Sequence, residues 1–287
     1  MSSISTKDQT YYTNNKYDPS ISNTHRWRTV ENCSEFMIPF IKPTDKILDV
    51  GCGPGTITTS LAKYVPQGQV YGIEPTEGLF QEAKDLLHQQ EQSSKHINNV
   101  KFELGSAFKL PYEDNSFSIV HAHQVLIHLS DPIKALQEMI RVIKPNGLIC
   151  VKDCELNSTI IYPYSEPLEY FMKEIMSSVN TKRNAASLHK QWIYEANEKY
   201  RTTETTTTKT SLELVQHSAI SWCNSTTEQR KSTADMFIKR CLQSENFIKD
   251  TKFTKNQIVE AWENWSKDET GVNFSIHGEV VIRKIEH

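Results

Sequence analysis

The sequence has no apolar run near the ~18–20 residues needed to cross a membrane, so no spanning segment is expected. Its six cysteines, at 33, 52, 150, 154, 223 and 241, include no C-x-x-C pair. That absence counts against a zinc site or a disulfide framework and favours reduced thiols. No broad basic field is present either: 32 basic residues face 35 acidic ones, a net charge of −3. Such a balance does not suit a nucleic-acid surface. The N-terminus lacks a signal-peptide core, and Asp8 and Asp18 precede the first arginine, Arg26, which argues against a mitochondrial transit peptide. A cytoplasmic setting is the expectation. Without internal repeats or coiled-coil heptads, the expected state is a monomer or a homodimer.

What the chain does contain is Lys46-Ile-Leu-Asp-Val-Gly-Cys-Gly-Pro-Gly-Thr56. Ile47, Leu48 and Val50 are strand formers with one acid, Asp49, among them. Gly51, Gly53 and Gly55 follow, and then a stretch able to begin a helix. Strand, glycine turn and helix make the first unit of a nucleotide-binding α/β fold. Glycines there admit positive φ and bring backbone close to a ligand. A dinucleotide fingerprint starting at Gly51 requires glycine at position 56, where Thr56 stands.

Further strands are expected at 70–73, 100–104, 117–121 and 148–151, with helices at 56–64, 76–92 and from 132 between them. Asp131-Pro132 reads as an N-cap followed by proline at N1, and Lys144–Gly147 reads as a turn. Five strands alternating with helices imply a parallel sheet covered on both faces. A helix is also expected over 24–41. Residues 1–24, with tyrosines at 11, 12 and 17, suit a tail or a lid. After Asp153 the alternation stops, and 164–198 reads as helical, an insertion over the carboxyl edge of the sheet. The threonine-rich run 200–210 reads as a strand and 226–247 as a helix. Thr254 to Gln257 forms a capping box, and a last strand covers 272–282 with a bulge at Gly278.

The glycine spacing, with an acid two residues before Gly51, resembles motif I of the class I S-adenosylmethionine methyltransferases. Gly105–Val120, His123–Pro132 and Ile143–Leu148 resemble further stretches of that family, over about residues 25–155. The likeness is greatest to UbiE-type small-molecule methyltransferases, including fungal members. It implies an α/β, Rossmann-like seven-stranded methyltransferase sheet with helices on both faces and a helical insertion after strand five. The expected division is 1–24 tail or lid, 25–155 donor-binding core, 156–199 helical insertion over the acceptor, and 200–287 completing the sheet.

The resemblance implies S-adenosylmethionine as cofactor, S-adenosylhomocysteine as product, and no metal. The Gly51-Cys52-Gly53 loop would receive the amino-acid end. Glu74, 23 residues after Gly51 and followed by Pro75, would accept both ribose hydroxyls, as a carboxylate suits. Asp49 would add negative charge near the cationic end. Ser106 stands where the family carries an adenine-binding Asp, so the adenine contact falls to Ser106, Ala107 and Phe108. Arg28 would face the donor carboxylate, and His123 and Gln124, just past strand four, would line the methionine moiety. His128 would pack behind the site. His123 and Tyr12 are the candidate bases, while alignment and desolvation carry much of such a displacement. Trp222, Phe237, Trp262 and Trp265 are candidates to roof an apolar acceptor pocket. The leading expectation is methyl transfer to a small molecule. Its alternatives are a quinone-ring C-methyltransferase, a protein or nucleic-acid methyltransferase, and a non-catalytic S-adenosylmethionine-binding regulator.

Overall fold

The structure, a computed structural model, describes residues 25–92, 97–176, 181–203, 210–244, 247 and 251–287. Tyr12 and the expected tail or lid lie outside the described residues, as does most of the expected strand at 200–210.

Five strands run parallel: β1 (Lys46–Val50), β2 (Gln69–Glu74), β3 (Val100–Leu104), β4 (Phe117–His123) and the first part of β5 (Ile143–Tyr162). β7 (Val272–Glu286) pairs antiparallel with both β5 and the edge strand β6 (Thr210–Asn224). The sheet order is β3-β2-β1-β4-β5-β7-β6. β1 is central, so its residues are buried on both sides, which is why it reads as a continuous apolar run. Ile47 faces a core built with Met37 and Leu61; Leu48 faces the opposite core with Phe117 and Ile140.

On the Ile47 side lie α1 (Val30–Cys33), α2 (Thr56–Leu61) and α3 (Glu77–Gln92). The expected helix over 24–41 is only α1 and then a 3₁₀ segment, Glu35–Phe40. Asn32 Oδ1 accepts from the Thr29 amide at 2.7 Å and fixes the start. Ser34 leaves helical geometry, and Pro39 limits the length of the 3₁₀ segment. On the Leu48 side lies α4 (Pro132–Val142), whose first turn is closed by the Lys134 amide donating to Asp131 Oδ1 at 3.0 Å.

Beyond α4 the chain departs from expectation. Ile143 already pairs with Phe117 and Leu148 with Ile119, so the expected turn Lys144–Gly147, with Asn146 at φ 62°, loops out inside β5 and does not precede it. The regular structure does not fail at Asp153. β5 runs on to Tyr162, with a register shift between Glu155 and Ile160. Ser158 Oγ there accepts the Ile276 amide at 2.8 Å and replaces a ladder partner. The polar triplet Asn157, Ser158 and Thr159 hides this strand from a pattern reading.

The range 156–199 therefore begins as strand. It holds the short α5 (Glu166–Tyr170), continued by a π-helical turn, Phe171–Ile175. It ends in α6 (Ala185–Thr203), where Ala185, Trp192 and Ala196 join the core beside α4. α6 thus covers the sheet face, and Tyr200–Thr203 is its last turn and not strand. Gly278 is no bulge: it pairs in register with Asp153 and Ala219. A Cβ on it would meet Ala186 Cβ at 2.9 Å, so glycine lets α6 approach the sheet.

α7 (Thr227–Gln243) and α8 (Lys255–Lys267) build a third core with α5 and the π-helical turn, around Phe171, Phe237, Ile258 and Trp262. The capping box of α8 is formed: the Thr254 amide donates to Gln257 Oε1 at 2.9 Å, and the Gln257 amide to Thr254 Oγ1 at 3.3 Å. Among the described residues no helix is long and apolar enough to cross a membrane.

Candidate functional site

β1 has β2 on one side and β4 on the other, so the connections leave it in opposite directions and a crevice opens at its carboxyl end. The glycine loop lines that crevice. Gly51, Gly53 and Gly55 have φ of 67°, 55° and 78°, and the Gly51 and Cys52 amides both donate to Ile73 O, at 2.8 and 3.1 Å. A Cβ on Gly51 would strike Val125 Cγ2 at 2.6 Å, whereas one on Gly53 would meet nothing within 4 Å. Gly53 is the open floor of a cradle.

Glu74 ends β2 in a buried position. Its Oε2 accepts the Gly53 amide at 3.1 Å and its Oε1 the Thr76 amide at 2.9 Å. Each oxygen retains a further lone pair for a ligand. Burial pushes this carboxyl above its usual range, and the two amides act against that shift. Burial likewise holds the Cys52 thiol well up, reinforced by Glu74 and Asp49, so Cys52 is a neutral wall and no nucleophile.

Asp49 uses both oxygens internally. Thr58 Oγ1 donates to Oδ2 at 2.6 Å, and Oδ1 lies 2.8 Å from His121 Nδ1. His121 Nε2 is 2.9 Å from Ser34 Oγ. This serine, histidine and aspartate chain has the connectivity of a hydrolytic triad, but Ser34 is fully buried and lines neither this cleft nor its neighbour. It ties β1, β4 and α2 together behind the loop.

One cleft of about 1050 Å³ is lined by every residue of the expected donor set: Arg28, Asp49, Gly51, Cys52, Gly53, Glu74, Pro75, Ser106, Ala107, Phe108, His123 and Gln124. Ser106 Oγ accepts the Phe108 amide at 3.2 Å, which fixes the turn after β3. His123 is the last residue of β4, not a residue beyond it. It is buried, with Nε2 lacking a hydrogen-bond partner among the described residues. Burial first, and then Arg28, hold this imidazole well below its ordinary pKa. The set fits S-adenosylmethionine: an open cradle, a buried carboxylate with spare lone pairs, an arginine and an unsatisfied imidazole face one volume.

A second cleft, of about 1540 Å³, adjoins the first and shares His25, Arg28, Gln124 and His128 with it. His128 therefore faces both clefts and does not pack behind the site. Trp222 and Phe237 line this second cleft. Trp262 is core, and Trp265 Nε1 donates to Tyr162 O at 3.0 Å, so these two roof nothing. Trp222 stacks on His277 at 4.0 Å between centroids and on His123 at 5.8 Å, with the Arg28 guanidinium 5.4 Å from its ring. His277 Nδ1 lies 3.2 Å from Gln124 Nε2, and its Nε2 lies 3.1 Å from Ser275 Oγ.

Sequence reasoning missed His25, Arg240, Asn273, Ser275 and His277, all of which line this cleft. A signal existed for the last three: polar residues at 273, 275 and 277 share one face of a strand. Among the described residues no cluster of three or more His, Cys, Asp or Glu could hold a metal.

A family model described as "Methyltransferase domain" matches residues 41–210. The chain is 40% identical over 286 residues to an uncharacterized methyltransferase of Schizosaccharomyces pombe, covering 97% of this chain and 98% of that one. It is 38% identical over 110 residues to a demethylmenaquinone methyltransferase of Staphylococcus haemolyticus, covering 38% of this chain and 43% of that protein. Among solved structures, the YcgJ protein of Bacillus subtilis matches with a TM-score of 0.51 and 17% identity, over 88% of this chain and 97% of that one.

Proposed function

The chain belongs to the class I methyltransferase family and takes S-adenosylmethionine as its methyl donor, and from that premise we propose that it methylates a small molecule seated in the second cleft. The observation that supports this most is the junction of the two clefts, where His25, Arg28, Gln124 and His128 belong to both. A ligand in each would meet at that throat. When bound, the donor supplies an electrophilic methyl group for in-line displacement, the C–S electron pair passing to sulfur as the new bond to the acceptor forms.

In this reading Glu74 accepts the ribose hydroxyls, the Gly51–Gly53 loop and Arg28 hold the amino-acid end, and Ser106, Ala107 and Phe108 border the adenine. Asp49 fixes the loop and adds negative charge behind it. Gln124 and His123 line the methionine moiety, and His123, kept neutral by burial and by Arg28, offers Nε2 there as a hydrogen-bond acceptor and not as a strong base. Most of the rate comes from alignment in a site shielded from water. A cytoplasmic setting, as monomer or homodimer, belongs to the same reading and accords with six free thiols.

A second reading, transfer to a ring carbon of a quinone, draws on the similarity to the demethylmenaquinone methyltransferase. Methyl-labelled S-adenosylmethionine incubated with the protein and a cell extract tests the first reading. Label in the soluble small-molecule fraction is expected, and label confined to acid-insoluble macromolecules would overturn it. A labelled methyl group on a quinone ring carbon would favour the second.

A further inference from the structure

We propose that the Gln124 carboxamide distinguishes the methylated donor from its demethylated product, and that His277, backed by Ser275, is the positioning residue that turns the carboxamide oxygen toward the sulfonium. The proposal rests on the donor site built around Glu74 and Gly53 and brings a residue of the last strand into it.

Four described residues line both clefts, His25, Arg28, Gln124 and His128, and only Gln124 among them has a side-chain oxygen. Its backbone is left-handed, with φ of 55°, and its amide donates to Lys152 O at 2.6 Å. Glycine or asparagine takes that conformation more readily. The turn by itself therefore does not call for glutamine.

The side chain is held from β7. Gln124 Nε2 lies 3.2 Å from His277 Nδ1, and His277 Nε2 lies 3.1 Å from Ser275 Oγ. His277 is buried, and Trp222 stacks on its ring at 4.0 Å between centroids. Burial, reinforced by Lys152 and Arg28, takes this imidazole down to about 3, so the ring is neutral and carries one N–H. With the carboxamide nitrogen facing Nδ1, that proton resides on Nε2 and is donated to Ser275 Oγ. Nδ1 then accepts from Gln124 Nε2. The nitrogen end of the carboxamide is thereby committed to β7. Oε1 forms no hydrogen bond among the described residues and is the end left for the throat.

The donor differs from its product by a methyl group and one positive charge at sulfur. An amide oxygen carries partial negative charge, and in a site shielded from water its attraction for that cation is only weakly screened. Held there, it favours donor over product. A carboxamide turned end for end would present N–H groups and act in the opposite sense.

The test is calorimetric titration of the protein with S-adenosylmethionine and, separately, with S-adenosylhomocysteine, read as the ratio of the two affinities. Gln124→Leu should shift that ratio about threefold to tenfold toward S-adenosylhomocysteine, whose own affinity serves as the folding control. His277→Leu should shift it in the same direction. His277→Asn, whose Oδ1 can take the place of Nδ1, should restore part of the preference. In a Gln124→Leu background, His277→Leu should shift the ratio no further, because His277 acts through Gln124. An unchanged ratio in folded Gln124→Leu or folded His277→Leu would overturn the proposal, and so would a shift toward S-adenosylmethionine. Failure of S-adenosylhomocysteine to bind, or normal binding of it by Glu74→Ala, would instead bring down the donor site itself, so the two failures are distinct.

Discussion

The Gly53 amide donates to Glu74 Oε2 at 3.1 Å, so the glycine loop after β1 and the acid at the end of β2 form one hydrogen-bonded unit. The cradle is thereby shaped by the same carboxylate that lines the cleft. A change in either residue should be felt by the other.

Gly53→Ala and Gly51→Ala should separate ligand binding from stability. Both positions have positive φ, which costs a non-glycine residue about 1–2 kcal/mol. At Gly53 the added methyl enters open cleft, so donor binding should suffer more than folding. At Gly51 it strikes Val125, so thermal stability should fall further than in Gly53→Ala. Thermal melts with and without S-adenosylhomocysteine measure both effects, and equal melting temperatures in the two variants would contradict the assignment.

Ser34→Ala should destabilise the protein and spare the donor site. Ser34 Oγ is the outer member of the buried chain through His121 to Asp49, and its removal leaves a buried ring nitrogen unsatisfied. The expected cost is about 1–3 kcal/mol by urea denaturation, with S-adenosylhomocysteine affinity little changed. A loss of affinity larger than the loss of stability would show that the chain does more than brace the loop.

Stability should fall as the solution is acidified below about pH 6.5. His128 and His277 are both depressed to about 3, burial being the main cause, and His25 and His123 also lie well below their ordinary values. Between those folded values and the ordinary value near 6.5, the unfolded chain binds more protons than the folded one. Stability is therefore complete above that range and lost on the way down, with a slope of about 1.4 kcal/mol per pH unit for each such histidine. Denaturant titrations at pH 7.5, 6.5 and 5.5 measure it. A flat profile would mean that these imidazoles are solvated.

The donor half of the molecule was legible because its determinants are local. Spacing alone identifies Gly51, Gly53 and Gly55, and the distance to Glu74 along the chain follows from one helix and one strand. The second cleft was not, because its walls come from pairings distant in sequence. Trp222 meets His277 only after β6 and β7 have paired, and Arg240 comes to line the same cleft as His25 from the far end of the chain. β6 was missed because an edge strand has one exposed flank and so lacks a continuous apolar run. β5 was cut short by the polar bulge at 157–159, whose hydroxyl supplies a ladder bond that pattern reading assigns to backbone. Gly278 misled for a different reason: a glycine required by a neighbouring helix leaves the same sequence mark as a bulge.

The most direct test of the account is isothermal titration of S-adenosylhomocysteine into the unaltered protein and into Glu74→Ala. Removing a buried charged acceptor of ligand hydroxyls should cost about 1.5–3 kcal/mol, a loss of about tenfold to a hundredfold in affinity. A variant that melts normally and binds S-adenosylhomocysteine as tightly as the unaltered protein would contradict the site built around Glu74 and Gly53.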